Sequence, residues 1–521
     1  MSRVPNKNPV PLERHLTIQR TRRIEEKERA MKMRWMTVPL LLVLCQICLV
    51  QGVQAQDIDS SAYEKIKPYR APVADLLKYK AMLDDPRPFY TDTGFYKKFI
   101  PDDAWKLLAF DEEKSRQAWE KCVGFKSPDL VGKIAPEIKP GKYTMADKEK
   151  YPWKELMPAT LYQMWNEPGT EGLPNHMGYF TEFEVVPTQQ VWYALPVGER
   201  SPQNTGQVNQ DEQGYIDIDS YKGGVPFPRP SGPHKGIQLL YNWMFKMYTS
   251  DNALEYDLTL GMNSGWNIDH HGVADYLWLR LAGRSMYPPY GWYDARAEKM
   301  KELLVQTYTV AQPRDLFGNV YYFVFYGDAR KDPNFMAYVN LLRRVRKLSS
   351  SDRQDQAVGQ DICFDDAAGY MQAIRPDRYP YEYKVVEERE FLVPAITTTG
   401  KAWFDSKEKY KWKDLTLERR PMYKLEMIQQ DPNYIYSKRV YWVDKETFLL
   451  TYGEWFDQKD RFYRNFLIQW GFVKPLGYFN IFNVTNSDFI DVHCTMTRGL
   501  GYPALWLTRQ DMSLRSLMKA K

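Results

Sequence analysis

Between Leu254 and Met262 the chain alternates with a period of two. Leu254, Tyr256, Leu258, Leu260 and Met262 are apolar, and Glu255, Asp257, Thr259 and Gly261 stand between them. Successive side chains of a β-strand point to opposite faces, so this run predicts an antiparallel strand with one apolar and one wet face. The same signal predicts strands at Tyr179–Val186, Val191–Leu195, Tyr276–Leu281, Leu303–Ala311, Val320–Tyr326, Ala337–Leu348, Glu382–Val393 and Tyr423–Ile428. Polar turns at Asp444–Thr447 and Asp457–Asp460 join Arg439–Val443, Phe448–Tyr452 and Arg461–Gln469 into a meander, and Tyr478–Val484 and Phe489–Thr497 close the sheet.

The period changes in one central stretch. Ile237, Leu240, Tyr241, Met244 and Tyr248 recur at helical spacing, so a helix docked by one face is expected there. The preceding Gly223–Pro230 must be extended, because its prolines fix φ and bias their predecessors away from helix. Helices are also expected at Asp102–Cys122 and, as a short one, at Pro152–Trp165, and a polar surface loop at Ser201–Gly214. At least ten strands with short links and no alternating crossover helices predict a mainly β (α+β) fold built on one large curved antiparallel sheet. No fixed repeat period supports a propeller or solenoid.

The N-terminus has a different character. Val38–Val50 is an apolar run of 13 residues after Lys32 and Arg34, and Val53-Gln54-Ala55 offers small-residue cleavage near Ala55. A spanning helix needs about 20 residues, so the run predicts a secretory signal peptide starting at Met31 or Met33. The expected division is signal peptide with an extended N-region over 1–55, a helical and loop-rich region over 56–175, and a β body over 176–521. Residues 1–55 carry ten Lys/Arg against four Asp/Glu, a net of +6 in a chain of net +5, which leaves the remainder at −1. The basicity therefore belongs to the exported leader, and no electrostatic case for nucleic acid remains. Three cysteines follow the signal, Cys122, Cys363 and Cys494, enough for at most one disulfide.

Candidate chemistry is sparse. Adjacent strand residues face opposite ways, so His270 and His271 could share an ion only at a turn, and a surface turn is expected with no metal. Asp361, Asp365 and Asp366 flank Cys363 in a polar connection, and solvated acids are expected there rather than a catalytic pair. Arg343, Arg344, Arg346 and Lys347 lie beside Leu341 and Leu342, and Arg343 and Arg344 are candidates for an anionic head group. No GxSxG, Walker A, HExxH or strand-linked GxGxxG occurs, so neither an enzyme nor a cofactor is expected.

Several stretches together are similar to one family. They are Tyr221–Pro233 (YKGGVPFPRPSGP), the helix bearing Tyr241-Asn242-Trp243, Leu342–Tyr370, and Tyr434–Arg464 with Lys438-Arg439-Val440-Tyr441 and Val443–Thr447. In that order they resemble an exported proteobacterial family of unknown function, number 1329, described as outer-membrane lipoprotein-sorting-like. The resemblance covers most of residues 125–500. It implies an incomplete antiparallel β-barrel, as in periplasmic lipoprotein carriers, whose concave side is lidded by helices and binds acyl chains. It further implies a periplasmic carrier or chaperone of a lipid or other hydrophobic molecule. A resistance-nodulation-division exporter and an outer-membrane β-barrel protein are the implied partners. By strand parity, Tyr256, Leu258, Trp278, Tyr322, Val324, Tyr441 and Phe462 are the cavity-facing candidates. Two alternatives stand beside the carrier. One is an exported enzyme centred on Asp361, Asp365 and Asp366 or on His270 and His271. The other is a structural adaptor of an envelope complex.

Overall fold

A computed structural model describes residues 110–515, apart from 168–177, 247–249, 287, 350–351, 376–377, 397–400 and 505–506. The signal-peptide expectation at Met31–Ala55 lies outside the described residues. The first described helix, α1 (Glu112–Val123), is capped by Asp111, whose side chain accepts the Lys114 N–H, and ends at Gly124 with φ +91°.

The strands are β1 (Gly141–Thr144), β2 (Glu182–Val186), β3 (Asn252–Met262), β4 (Ile268–Arg280), β5 (Glu302–Gln312), β6 (Val320–Tyr326), β7 (Asn334–Val339), β8 (Arg344–Lys347) and β9 (Tyr381–Pro394). Then come β10 (Trp403–Asp405), β11 (Lys411–Lys413), β12 (Thr416–Gln429), β13 (Lys438–Asp444), β14 (Leu450–Phe456), β15 (Phe462–Val473), β16 (Tyr478–Asp488) and β17 (His493–Pro503). One 15-stranded sheet runs β9-β12-β13-β14-β15-β16-β17-β3-β4-β5-β6-β7-β8, with β1-β2 beside the start of β12. Every neighbour is antiparallel except β2 with β12. The sheet does not close, so the mainly β, incomplete-barrel expectation is met.

Both faces of the sheet are packed. In β13, Tyr441 and Val443 enter one core while Val440 and Trp442 enter another. The inner core takes in α2 (Lys235–Lys246) and segment 352–371; the outer one takes in Trp153, Trp165, Phe183 and Trp412. Large edge-to-face rings fill the outer core, with Trp153 5.2 Å from Trp165. Helix α2 is held from two directions. Trp243 donates its indole N–H to Tyr370 O at 3.0 Å and lies 5.8 Å from Trp470. Asn242 exchanges two hydrogen bonds with the Phe227 backbone, which pins the proline-rich stretch along the helix.

Some elements differ from expectation. Val191–Leu195 forms no strand; it leads into a short helix at Leu195–Arg200 started by Pro196, whose missing N–H suits a helix start. Ala337–Leu348 is not one strand but the hairpin β7–β8, turned by Arg343 at φ +50°. The last strand lies later than Phe489–Thr497, because 489–492 is the turn into β17. His270 and His271 sit within β4, paired with Gly261 and Leu260, and not in a surface turn.

Candidate functional site

A cleft lies on the inner face of the sheet. Its floor is Glu255 and Asp257 of β3, Tyr276 of β4, Tyr308 of β5, Phe323 of β6, Ile481, Val484 and Asn486 of β16, and Thr497 of β17. Segment 352–371 roofs it with Ala357, Val358, Gln360, Ile362, Phe364, Ala367 and Ala368. About 740 Å³ separates the walls, solvent at the mouth included, and about 80 Å³ remains once a water-sized margin is taken from every wall. That is a slot for a slender chain and too narrow for a bulky group.

The three aspartates of the roof do separate jobs. Asp365 accepts from Arg353 Nε at 2.6 Å, Gln372 Nε2 at 3.1 Å and Tyr434 Oη at 3.0 Å. Asp366 accepts from Cys363 N at 3.0 Å and Tyr436 Oη at 2.7 Å, and Arg439 Nη1 stands 2.8 Å away. These groups are buried, so each carboxylate neutralises a cation that would otherwise be stranded. Burial, reinforced by Asp366 and Asp365, holds the Cys363 thiol well above its ordinary pKa, which keeps it protonated. All three described cysteines are free thiols.

Asp361 clasps the roof to the sheet. It receives His493 Nδ1 at 2.6 Å and Thr495 Oγ1 at 2.7 Å, and the second nitrogen of His493 is 3.2 Å from Asp269. Burial disfavours the charged imidazole, but the hydrogen bond and charge of Asp361, then Asp269, outweigh it and raise His493 to about 9. His270 interacts with His493 as a like charge when protonated. A raised folded pKa adds stability that is complete below the ordinary value of 6.5 and is lost as pH rises through about 9. In denaturant unfolding, wild type is therefore expected to exceed H493Q most near pH 6 and to match it by pH 10. A constant difference across that range would remove the clasp.

None of the seven parity candidates lines this cleft. Tyr256, Leu258, Tyr322 and Val324 occupy the alternate positions of β3 and β6, beside the Asp257 and Phe323 that do line it. Trp278 shares the parity of Tyr276 and packs on its ring at 3.9 Å, beyond the lining. Tyr441 lies beneath the roof, donating to Gly369 O at 3.0 Å. Phe462, at the start of β15, packs on Phe489 at 4.6 Å. Arg343 and Arg344 sit at the tip of the β7–β8 hairpin, where Leu341 is 85 %, Leu342 58 % and Val345 41 % exposed. Sequence reasoning missed Glu255 and Asp257. Their signal was two acids two residues apart in a strand, with Gly499 and Gly501 lying opposite them in β17.

Among the described residues no group of three or more His, Cys, Asp or Glu could hold a metal ion, and no helix is long and apolar enough to cross a membrane. A family model described as protein of unknown function (DUF1329) matches residues 167–498. Similar solved structures include a Vibrio parahaemolyticus domain named for outer-membrane lipoprotein sorting, at 13 % identity and TM-score 0.39, covering 55 % of this chain and 100 % of its own. A DUF1329 family protein of Desulfovibrio piger follows at 15 % and 0.38, covering 54 % and 97 %. A LolA superfamily protein of Nitrosomonas europaea stands at 11 % and 0.31, covering 51 % and 92 %. No curated protein matches the chain.

Proposed function

From the premise that the chain belongs to the DUF1329 family of proteins of unknown function, we propose that it is a carrier that takes a hydrophobic molecule, a lipid or similar, into the cleft under segment 352–371. The observation that supports this reading is the cleft's lining of Tyr276, Tyr308, Phe323, Ile362, Phe364, Ile481 and Val484 beneath a roof fastened through Asp361, Asp365 and Asp366. Each buried methylene contributes about 0.8 kcal/mol, so a short stretch of chain in such a slot binds without any polar anchor. Asp365 and Asp366 are engaged by arginines and the Cys363 thiol is protonated, so the carrier reading is favoured over catalysis. In this reading the mature chain works in the periplasm beside a resistance-nodulation-division exporter and an outer-membrane β-barrel protein.

Filling the slot tests the idea. Val484→Trp is expected to weaken binding of diphenylhexatriene or a fatty alcohol by on the order of tenfold to a hundredfold, while the melting temperature changes little. Unchanged affinity, or no binding of any apolar probe by wild type, would end the carrier reading. A structural adaptor would tolerate the same substitution.

The β7–β8 hairpin belongs to the same proposal as its surface-contact element. Exposed Leu341, Leu342 and Val345 among Arg343, Arg344, Arg346 and Lys347 suit an anionic lipid surface, where each basic residue contributes about 1 kcal/mol. Co-sedimentation with phosphatidylglycerol vesicles is expected to fall more than tenfold in R343E/R344E. Equal binding of wild type to pure phosphatidylcholine would reject this role.

A further inference from the structure

Most of the cleft's lining is apolar; Gln360, Asn486 and Thr497 are its uncharged polar side chains, and its ionisable carboxyls stand at one place on the floor. Glu255 and Asp257 stand two residues apart on the same face of β3, both buried, and both line the cleft. Glu255 Oε2 is shut away from solvent with no hydrogen-bond partner, and neither carboxyl is within ion-pair reach of a described lysine or arginine. Isolated buried carboxyls are expensive, and elsewhere in this molecule Asp365, Asp366, Glu390 and Glu418 are each matched to an arginine. Here no described residue supplies the matching cation.

The backbone opposite makes room for the pair. Gly499 of β17 lies across from Asp257 and Gly501 across from Glu255. A Cβ at Gly499 would come within 2.3 Å of Glu255 Oε1 and 2.5 Å of Ile481 O, so any side chain there would drive the carboxyl from its place. Burial, and after it the neighbouring Asp257, push Glu255 well above the usual carboxylate range, and burial pushes Asp257 up to about 7. Near neutral pH the two acids therefore hold at least one proton between them and leave acceptor oxygens unused.

We propose that Glu255 and Asp257 form the head-group subsite of the cleft and select a hydrophobic molecule that ends in a hydrogen-bond donor, a hydroxyl or an amine. The inference rests on the carrier reading and names the class of its cargo. A hydroxyl or ammonium donates to the free carboxyl oxygens while its chain lies along Tyr276, Tyr308 and Phe323. An anionic head is excluded, because a third carboxylate would sit beside two acids in a low-dielectric slot without a cation.

Chain-matched probes test this with the unmodified protein. Dodecanol, dodecylamine and dodecanoate are titrated near pH 7.5 by displacement of diphenylhexatriene. Dodecanol and dodecylamine are expected to bind at least about tenfold more tightly than dodecanoate, and raising the pH to 9 is expected to widen the gap for dodecanoate. In E255Q/D257N the preference over dodecanoate is expected to collapse to within about threefold. Equal or tighter binding of dodecanoate by wild type, or an unchanged ranking in the double variant, would overturn the head-group subsite and leave the carrier reading intact. Failure of diphenylhexatriene itself to bind would instead remove the carrier reading. If E255Q/D257N does not fold, the wild-type ranking and its pH dependence still decide the question.

Discussion

Asp365→Ala is expected to destabilise the protein by about 3–5 kcal/mol and to release the roof of the cleft. Asp365 is fully buried and accepts from Arg353, Gln372 and Tyr434 at once. Arg353 is itself buried, donating also to Met371 O at 2.6 Å. Removing its carboxylate strands a guanidinium among the rings of Phe323, Phe325 and Phe335, whose weak attraction for a cation does not replace an ion pair. Because segment 352–371 is tied down by these side chains, loss of the tie exposes it. Limited proteolysis is expected to cut within 352–371 at least tenfold faster, and apolar probe affinity is expected to fall with it. D365N keeps the shape and loses the charge, so its effect is expected to be intermediate. Stability within about 1 kcal/mol of wild type in D365A would show that the roof is held by packing alone.

Arg420→Met is expected to lower stability by a similar 3–5 kcal/mol without touching the cleft. Arg420 is a hub with no exposed surface: it meets Asp444 at 2.8 Å, Glu446 at 3.0 Å and Glu418 at 3.1 Å, and donates to Gln189 O at 2.7 Å. Glu446 in turn accepts from Ser127 Oγ at 2.8 Å and Val191 N at 3.1 Å, so the hub joins an N-terminal segment to β12 and the β13–β14 turn. Burial pushes Glu446 up to about 7 even with Arg420 beside it. Without the arginine, three buried carboxyls face one another and must take up protons to remain inside. Denaturant unfolding checks the size of the loss. Lysine cannot offer the guanidinium's planar fork to several carboxylates, so R420K is expected to recover only part of it. A loss below about 1 kcal/mol would mean that the hub relaxes into solvent. Unchanged probe affinity in the surviving folded protein separates this hub from the roof.

These sites show how far the pattern of residues reaches. Period-two alternation located β3 and the meander, and helical spacing located the docked helix, because side-chain direction along a strand or helix is a local geometric fact. The same alternation misassigned the faces. Glu255 and Asp257 read as the wet side of β3, and the parity rule then chose Tyr256 and Leu258 for the cavity. That rule assumes water on one face, whereas this sheet carries a packed core on each. The strand expected over Tyr423–Ile428 begins earlier, at Thr416, and the charged Glu418, Arg419 and Arg420 are all buried within it. Apart from the Glu418–Arg420 pair itself, partners such as Asp444 and Ile138 lie dozens to hundreds of residues away, and no spacing in one chain encodes such a match.

What the sequence by itself determined is therefore local: the existence and type of most elements, the mainly β class, the absence of familiar catalytic motifs, and a family likeness carried by Tyr221–Pro233, Tyr241-Asn242-Trp243 and Lys438–Tyr441. Part of that likeness has a physical basis, since Asn242 clamps Phe227 and Arg439 meets Asp366 under the roof. Tertiary structure alone decided which face of β3 is the cleft, that the three aspartates fasten a roof, and that Glu255 and Asp257 have no ion-pair partner among the described residues. The physical reason is that burial and charge pairing are properties of neighbours in space, and an open sheet of fifteen strands brings those neighbours together from opposite ends of the chain.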